Sequence, residues 1–131
     1  VGAVGFASYA KPIPFHMEDV IVAYALAAYY MGFSAIYLEA GSGAREPVPS
    51  SVVAKVKKAV RNKILIVGGG IRSPEAAYSI ALAGADVIVT GTVIEESPAV
   101  VLKDIVDAVH RGGLRKLSNS GNDANTRVNA K

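Results

Sequence analysis

Two glycine-containing segments of this sequence follow apolar runs, and their residue types suit phosphate binding. Three consecutive glycines, residues 68–70, come directly after one apolar run, and Gly91 and Thr92 come after the next. Glycine permits positive φ and close approach to the backbone, and a helix N-terminus presents unpaired N–H groups to an anion. We therefore expect the backbone amides of these segments to hold a phosphate group. The alternative is that the glycines only let a helix pack tightly on its strand.

The spacing of the glycines excludes two common nucleotide-binding motifs. The segment GGGIR at residues 68–72 matches neither G-x-G-x-x-G nor G-x-x-x-x-G-K-[ST]. Neither a dinucleotide site nor a P-loop is therefore expected at this position.

A phenol and a carboxylate form a second group of residues able to do chemistry, in the sequence YLEAGSGA at residues 37–44. Alternation along a strand places Tyr37 and Glu39 on one face, opposite Ile36 and Leu38. If helices cover the apolar face, the first pair points into a barrel. A carboxylate there is costly to bury without a task or a partner, so we predict a functional role for Glu39. The alternative is a structural ion pair with an arginine.

The elements that must position these residues alternate along the chain. After a strand remnant and a loop, the sequence predicts helices at residues 17–31, 50–60, 73–84 and 97–113, and strands at residues 35–40, 63–67 and 86–89. Nearly continuous apolar strands separated by helices indicate an α/β fold with a parallel sheet. A doubly wound sheet and a (β/α)8 TIM barrel both fit this order, and small residues after two consecutive strands favour the barrel.

The first predicted helix lies in a long uncharged run. No charge occurs in the 19 residues between Asp19 and Glu39, which is near the length of a transmembrane helix. Gly32 divides this mildly apolar run, so we expect a buried helix and then a buried strand, with no transmembrane segment. The helix should pack through an apolar stripe that comprises Val20, Ala23, Tyr24, Ala27 and Tyr30.

Composition and charge exclude several other classes of protein. The 131 residues are 51% apolar and 19% charged, which suits one domain with a core. Residues 1–113 hold ten charges of each sign, whereas residues 114–131 hold four positive charges and one negative. A neutral body without a basic face argues against a nucleic-acid partner. The absence of cysteine excludes thiolate metal sites and fits a reducing compartment, so we expect a cytoplasmic protein.

The motifs YLEAGSGA, PVP, IVGGGIRSPEAA and AGADVIVTGT together resemble the geranylgeranylglyceryl phosphate synthase family of archaeal TIM-barrel prenyltransferases. The likeness covers residues 24–96 and extends back to the KPIP loop that begins at Lys11. It implies an enzyme that joins sn-glycerol 1-phosphate to geranylgeranyl diphosphate with Mg²⁺ and releases diphosphate. Its product would be the first ether-linked precursor of archaeal lipids, and the resemblance implies that this product is delivered at a membrane surface.

The same resemblance implies the residues of the glycerol-phosphate site. The glycines and the Thr92 amide would hold the phosphate, while Tyr37 and Glu39 would form hydrogen bonds with the glycerol hydroxyls. Glu39 would accept the proton of the attacking C3 hydroxyl. The implied site comprises Tyr37, Leu38, Glu39, Ala40, Gly41, Ser42, Gly43, Gly69, Gly70, Gly91 and Thr92.

Length limits what this chain can do by itself. A (β/α)8 barrel takes about 250 residues, so we expect this chain to form about half of one. The resemblance implies that residues 1–113 are the C-terminal half, with about strands 6 to 8, and we expect residues 114–131 to be a polar, basic, disordered tail. The resemblance implies that the Mg²⁺ ligands and the prenyl groove lie on earlier strands, so no metal ligand is expected in this chain. Unpaired sheet edges predict a homo-oligomer or a complementary N-terminal half as partner.

Two other functions fit parts of the sequence. One is a different phosphate-binding barrel enzyme that acts on a sugar or amino-acid phosphate, which the glycine segments alone would suit. The other is an inactive half-barrel that serves as an interaction fragment.

Overall fold

The computed structural model of the chain describes residues 7, 9–91 and 99–128. In chain order the elements are α1 (Glu18–Tyr30), β1 (Ala35–Glu39), α2 (Ser50–Val60), β2 (Ile64–Gly68), α3 (Pro74–Ala83), β3 (Val87–Val89) and α4 (Ala99–Val128). The strands form one parallel sheet in the order β1-β2-β3. The predicted α/β alternation and parallel sheet are confirmed.

Local signals at both ends of α3 fix its position after β2. The Ser73 hydroxyl accepts a hydrogen bond from the Ala76 amide at 3.2 Å, and Pro74 occupies the first turn, where its missing N–H is not needed. The helix ends at Gly84, whose φ of 125° suits only glycine. The N-terminus of α3 consequently lies just beyond the three-glycine segment.

One face of the sheet packs against the helices. Ile36, Leu65 and Val67 are buried there, together with α2 residues such as Val52 and Val56. Full burial of a side chain of this size stabilises the fold by about 1.5–3 kcal/mol. These contacts form the main core of the described chain.

The other face of the sheet is left uncovered by the described residues. Ile64, Val87 and Val89 on this face remain 48%, 43% and 41% exposed. Tyr37 shares the face, as the strand alternation predicts, and is 48% exposed. An exposed apolar face of this kind is typical of a surface that contacts other protein segments.

The prediction of which residues bury α1 against the core is wrong. The buried residues of the helix are Ile21 and Ala25, whereas Tyr24 and Tyr30 are 68% and 80% exposed. Ala23 and Ala27 are also exposed, and Val20 is half-buried. Because α1 is apolar on nearly every side, its sequence favours no single stripe. The helix and the strand that follows are confirmed, and no described helix is long and apolar enough to span a bilayer.

The predicted end of the last helix near Gly112 is also wrong, because α4 continues to Val128. A Cβ at Gly112 would lie 2.7 Å from the Tyr78 carbonyl oxygen and 2.9 Å from the Ala81 Cβ. Glycine at this position therefore permits close packing of α4 on α3 and does not end the helix. The backbone of residues 114–128 is helical, where a disordered tail was expected. The division of the chain into a half-barrel body and a separate tail stays a prediction.

A charged cluster joins the amino ends of β2 and β3 to α2 and α4. One carboxylate oxygen of Asp86 binds the Lys57 ammonium and accepts from the Leu65 amide at 2.9 Å, while the other accepts from the Lys116 ammonium at 3.2 Å. Burial alone would raise the pKa of the Asp86 carboxyl, but the two ammonium groups and the Leu65 amide hold that pKa below its usual value. The cluster lies at the opposite end of the strands from Tyr37 and Glu39 and has a structural role.

Candidate functional site

The carboxylate of Glu39 lies where the ends of β1 and β2 meet. Its Oε1 accepts a hydrogen bond from the Gly41 amide at 2.7 Å. The glycine segment after β2 lies against the same oxygen, since a Cβ at Gly69 would stand 2.5 Å from it. The structure thus brings together the carboxylate and one of the two predicted phosphate-binding segments.

Tyr37 lies beside Glu39 on the uncovered face, with its ring over Gly68. A Cβ at Gly68 would overlap the Tyr37 hydroxyl. Burial, a hydrogen bond to Glu39 and the charge of that carboxylate raise the pKa of Tyr37 to about 12. The phenol therefore stays protonated at neutral pH and is able to donate to the carboxylate.

The loop after β1 turns sharply through two glycines. Gly41 and Gly43 have φ values of 108° and 71°, and the Ala44 amide donates to the Gly41 carbonyl at 3.1 Å. Ser42 is exposed at the tip of this turn, and Ala40 is half-buried where its amide donates to the Gly68 carbonyl at 3.0 Å. The loop places its backbone beside Glu39.

Leu38 is the predicted site residue that points away from the others. Its side chain packs against the core on the helix-covered face. Only its main chain is therefore available to a ligand beside Tyr37 and Glu39.

Two positions of the three-glycine segment require glycine, because of the backbone conformation and because of close contacts with neighbouring atoms. Gly69 and Gly70 have φ values of 81° and 70°. A Cβ at Gly70 would also stand 2.5 Å from the Glu46 carbonyl oxygen. The amides of Gly69 and Gly70 donate to no acceptor among the described residues. Close packing accounts for part of this glycine pattern, and two donors are left for an anion.

Thr90 links the second glycine segment to the first. Its hydroxyl donates to the Ile71 carbonyl at 3.2 Å, across the ends of β3 and β2. Gly91 follows on the same side of the sheet, and no atom of the described residues lies within 4 Å of a Cβ placed there. Thr92 lies outside the described residues. The two strand ends are adjacent, as the sequence predicts.

A cavity of about 620 Å³ adjoins Tyr37 and Glu39 along the edge strand β1. Its walls are mainly apolar and include Pro12 and Phe15 of the loop before α1, together with Tyr24. Sequence reasoning assigned none of these residues to the site. The closely spaced prolines at positions 12 and 14 mark a rigid loop, but only the folded chain shows that it approaches β1.

The described residues do not form a metal site of their own. Among residues 7, 9–91 and 99–128, no three His, Asp or Glu side chains are grouped so that they could hold a metal ion. Glu39 is therefore not part of any such group among these residues. The donor set in this part of the chain therefore does not fit the Mg²⁺ that the sequence resemblance implies.

The sequence profile of the PcrB family matches residues 1–110. The chain belongs to the PcrB family. The family membership inferred from the motifs around Glu39 and the glycine segments is confirmed.

Named relatives support the same assignment. The geranylgeranylglyceryl phosphate synthase of Caldivirga maquilingensis is 92% identical over 130 residues, which cover 99% of this chain and 49% of that relative. The synthase of Thermofilum pendens is 54% identical over 117 residues, which cover 88% of this chain and 45% of the relative. The chain thus spans about half the length of the curated relatives that it matches.

Solved structures give the same result for the fold. The (S)-3-O-geranylgeranylglyceryl phosphate synthase of Thermoplasma acidophilum, in complex with its substrate sn-glycerol-1-phosphate, matches with a TM-score of 0.75 and 48% identity. The match covers 81% of this chain and 43% of that chain. A second synthase structure, from Thermoplasma volcanium, has a TM-score of 0.74 and 49% identity.

Proposed function

We propose that this chain provides the glycerol-phosphate site of a phosphoglycerol geranylgeranyltransferase. The reaction joins sn-glycerol 1-phosphate to geranylgeranyl diphosphate and forms the first ether bond of archaeal lipids. The observation that carries the proposal is the close approach of the Glu39 carboxylate to Gly69, because a proton acceptor then lies beside amides that have no acceptor among the described residues. The bound sn-glycerol-1-phosphate in the Thermoplasma acidophilum synthase supports the choice of substrate.

In the proposed complex the phosphate lies at the ends of β2 and β3. The amides of Gly69, Gly70, Gly91 and Thr92 donate to its oxygens, helped by the N-terminal end of α3. The glycerol part lies over β1 and the loop after it, where its neighbours are Tyr37, Leu38, Glu39, Ala40, Gly41, Ser42 and Gly43.

Glu39 is the base of the proposed reaction. It accepts the proton of the C3 hydroxyl while that oxygen forms a bond to C1 of the geranylgeranyl group. The bond between C1 and the diphosphate oxygen breaks, and its electron pair leaves with the diphosphate. Tyr37, whose raised pKa keeps it protonated, donates a hydrogen bond and fixes the carboxylate.

Magnesium takes no part in the steps assigned to these residues. The family resemblance implies Mg²⁺ at the diphosphate, but the described residues offer no group of ligands for it. We propose that its ligands, together with the prenyl groove, lie outside this chain. A diphosphate leaving group is the natural place for such an ion.

We further propose that the fold is the C-terminal half of a (β/α)8 barrel, with strands 6 to 8. Two observations support the half-barrel part of this proposal: the match covers 43% of the Thermoplasma acidophilum synthase, and the parallel sheet has an apolar face that the described residues leave uncovered and that would line a barrel interior. The partner that completes the barrel is a complementary N-terminal half or a second copy of the chain. A cytoplasmic location fits the absence of cysteine, with the lipid product passed to a membrane surface.

A joined enzyme tests the proposed function. In it, this chain replaces the matching 130 residues of the Caldivirga maquilingensis synthase, to which it is 92% identical. The assay measures transfer of label from sn-glycerol 1-phosphate to a prenylated product with Mg²⁺ present, and sn-glycerol 3-phosphate serves as the control substrate. We expect transfer from the 1-phosphate. A joined enzyme that folds but prenylates neither glycerol phosphate would contradict the proposal, as would one that prefers a sugar phosphate as substrate.

A further inference from the structure

We propose that Gly68 is a positioning residue of this site, because its missing side chain provides the space in which the Tyr37 phenol lies against Glu39. The inference rests on the proposed function for its effect on turnover. Its structural part, the placement of the phenol, stands apart from that function and can be measured separately.

The register of the sheet puts Gly68 opposite Glu39, and Tyr37 two residues before Glu39 on the same strand face. A Cβ at Gly68 would overlap the Tyr37 hydroxyl and lie 3.0 Å from the ring atoms Cε2 and Cζ. Real Cβ atoms essentially never show contacts this close. The phenol thus occupies the place where any other residue at position 68 would put its side chain.

The backbone at Gly68 does not itself require glycine. Gly69 and Gly70 have positive φ, so glycine there is explained by conformation, but Gly68 lies within β2 and is not among the positive-φ glycines. An L-residue can adopt that extended backbone. The requirement for glycine at position 68 therefore comes from Tyr37, which supplies the three atoms nearest to an added Cβ.

An alanine at position 68 should move the phenol and leave the strand in place. The Tyr37 hydroxyl is at the free end of a side chain that the rest of the described chain leaves 48% exposed, so no described residue prevents the ring from turning away from Glu39. Of the two donors that Glu39 has in the proposed complex, Tyr37 is then lost and the Gly41 amide is kept. Loss of one hydrogen bond to a charged group corresponds to about a ten- to hundred-fold drop in kcat/KM for glycerol phosphate.

A double-mutant cycle in the joined enzyme tests whether Gly68 acts through Tyr37. We expect Gly68→Ala and Tyr37→Phe each to lower kcat/KM, and the double variant to be within about three-fold of Tyr37→Phe alone, since coupled residues are not additive. Gly113→Ala is the matched control, because a Cβ there meets no atom of the described chain within 4 Å and its φ is not positive. Independent losses that multiply in the double variant would overturn the proposal.

A second measurement does not depend on turnover. The ¹³Cζ resonance of Tyr37, assigned by its absence in Tyr37→Phe, should shift in Gly68→Ala and stay unchanged in Gly113→Ala, while the unfolding temperature of all three variants stays near that of the parent. An unshifted resonance in folded Gly68→Ala protein would overturn the positioning role. If the resonance shifts as expected but the parent enzyme transfers no prenyl group, the proposed function fails and the positioning of Tyr37 by Gly68 still holds.

Discussion

Glu39 and Gly69 meet across the ends of neighbouring strands, so that a Cβ on Gly69 would stand 2.5 Å from the Glu39 Oε1. The Gly41 amide donates to that same oxygen at 2.7 Å. The carboxylate is therefore held by one glycine loop and approached by a second, and its position depends on both. This arrangement supports the proposal that Glu39 is a base beside a phosphate-binding turn.

Replacing Glu39 by glutamine should leave the fold intact and remove most of the turnover. The amide keeps the shape of the side chain but is not a base, so we expect kcat of the joined enzyme to fall on the order of 10²- to 10⁴-fold. Steady-state kinetics measure the change, with Glu46→Gln, an exposed glutamate of the neighbouring loop, as the control. Near-normal kcat in Glu39→Gln would refute the role of this carboxylate.

Replacing Thr90 by valine should weaken phosphate binding with little change in the overall fold. The variant removes the hydroxyl that donates to the Ile71 carbonyl at 3.2 Å and joins the two strand ends. A hydrogen bond of this kind contributes about 0.5–1.5 kcal/mol, which corresponds to a rise of roughly two- to twelve-fold in the Kd for glycerol phosphate. Calorimetry measures the Kd, and Ser118→Ala removes a hydroxyl bonded to the Arg115 carbonyl as the control. If Thr90→Val and Ser118→Ala bind glycerol phosphate with equal Kd values, the hydrogen bond from Thr90 to Ile71 does not shape the site.

Asp86 should make stability depend on pH in the acid range. Because its folded pKa is lowered, its contribution is present above the unfolded pKa of 3.8 and is lost as the pH falls through the folded value. At pH 7 we expect Asp86→Asn to lower the free energy of unfolding by roughly 1.5–3 kcal/mol, and the difference from the parent to shrink below pH 4.

Urea unfolding at several pH values checks this expectation. Asp107→Asn is the control, because its ion pair with Lys103 is on the surface, with side chains 52% and 78% exposed. Such exposed pairs contribute little to stability. If the free energy of unfolding of the parent exceeded that of Asp86→Asn by the same amount from pH 7 to pH 3, the charge of Asp86 would not account for the stability of this cluster.

The 131-residue chain by itself should associate and show no transferase activity. Its sheet leaves Ile64, Val87 and Val89 partly exposed on one face, and burial of such a face favours assembly. Analytical ultracentrifugation and the transfer assay measure both properties. A chain that sediments as a monomer and makes prenylglyceryl phosphate would overturn the half-barrel proposal and the expectation that the metal ligands lie elsewhere.

Parts of the fold that depend on local signals could be predicted from the sequence. Ser73 and Pro74 mark the start of α3 and Gly84 marks its end, because capping and positive φ are properties of a few adjacent residues. Strand alternation likewise places Tyr37 and Glu39 on one face, opposite Ile36.

Features that depend on packing between distant segments could not be predicted. Gly112 resembles a helix stop in the sequence, but its contact with Tyr78 and Ala81 is known only once α3 and α4 are paired. The sequence alone does not distinguish the roles of the three glycines at residues 68–70. Only the structure shows that Gly68 accommodates Tyr37, whereas its two neighbours have positive φ.

A crystal structure of the joined enzyme with sn-glycerol 1-phosphate tests the glycerol-phosphate site most directly. We expect phosphate oxygens within about 3 Å of the amides of Gly69 and Gly70 and of those at Gly91 and Thr92, with the C3 hydroxyl in hydrogen-bond contact with Glu39. A phosphate bound beyond hydrogen-bond reach of both glycine segments, or a C3 hydroxyl turned away from Glu39, would contradict the proposed site.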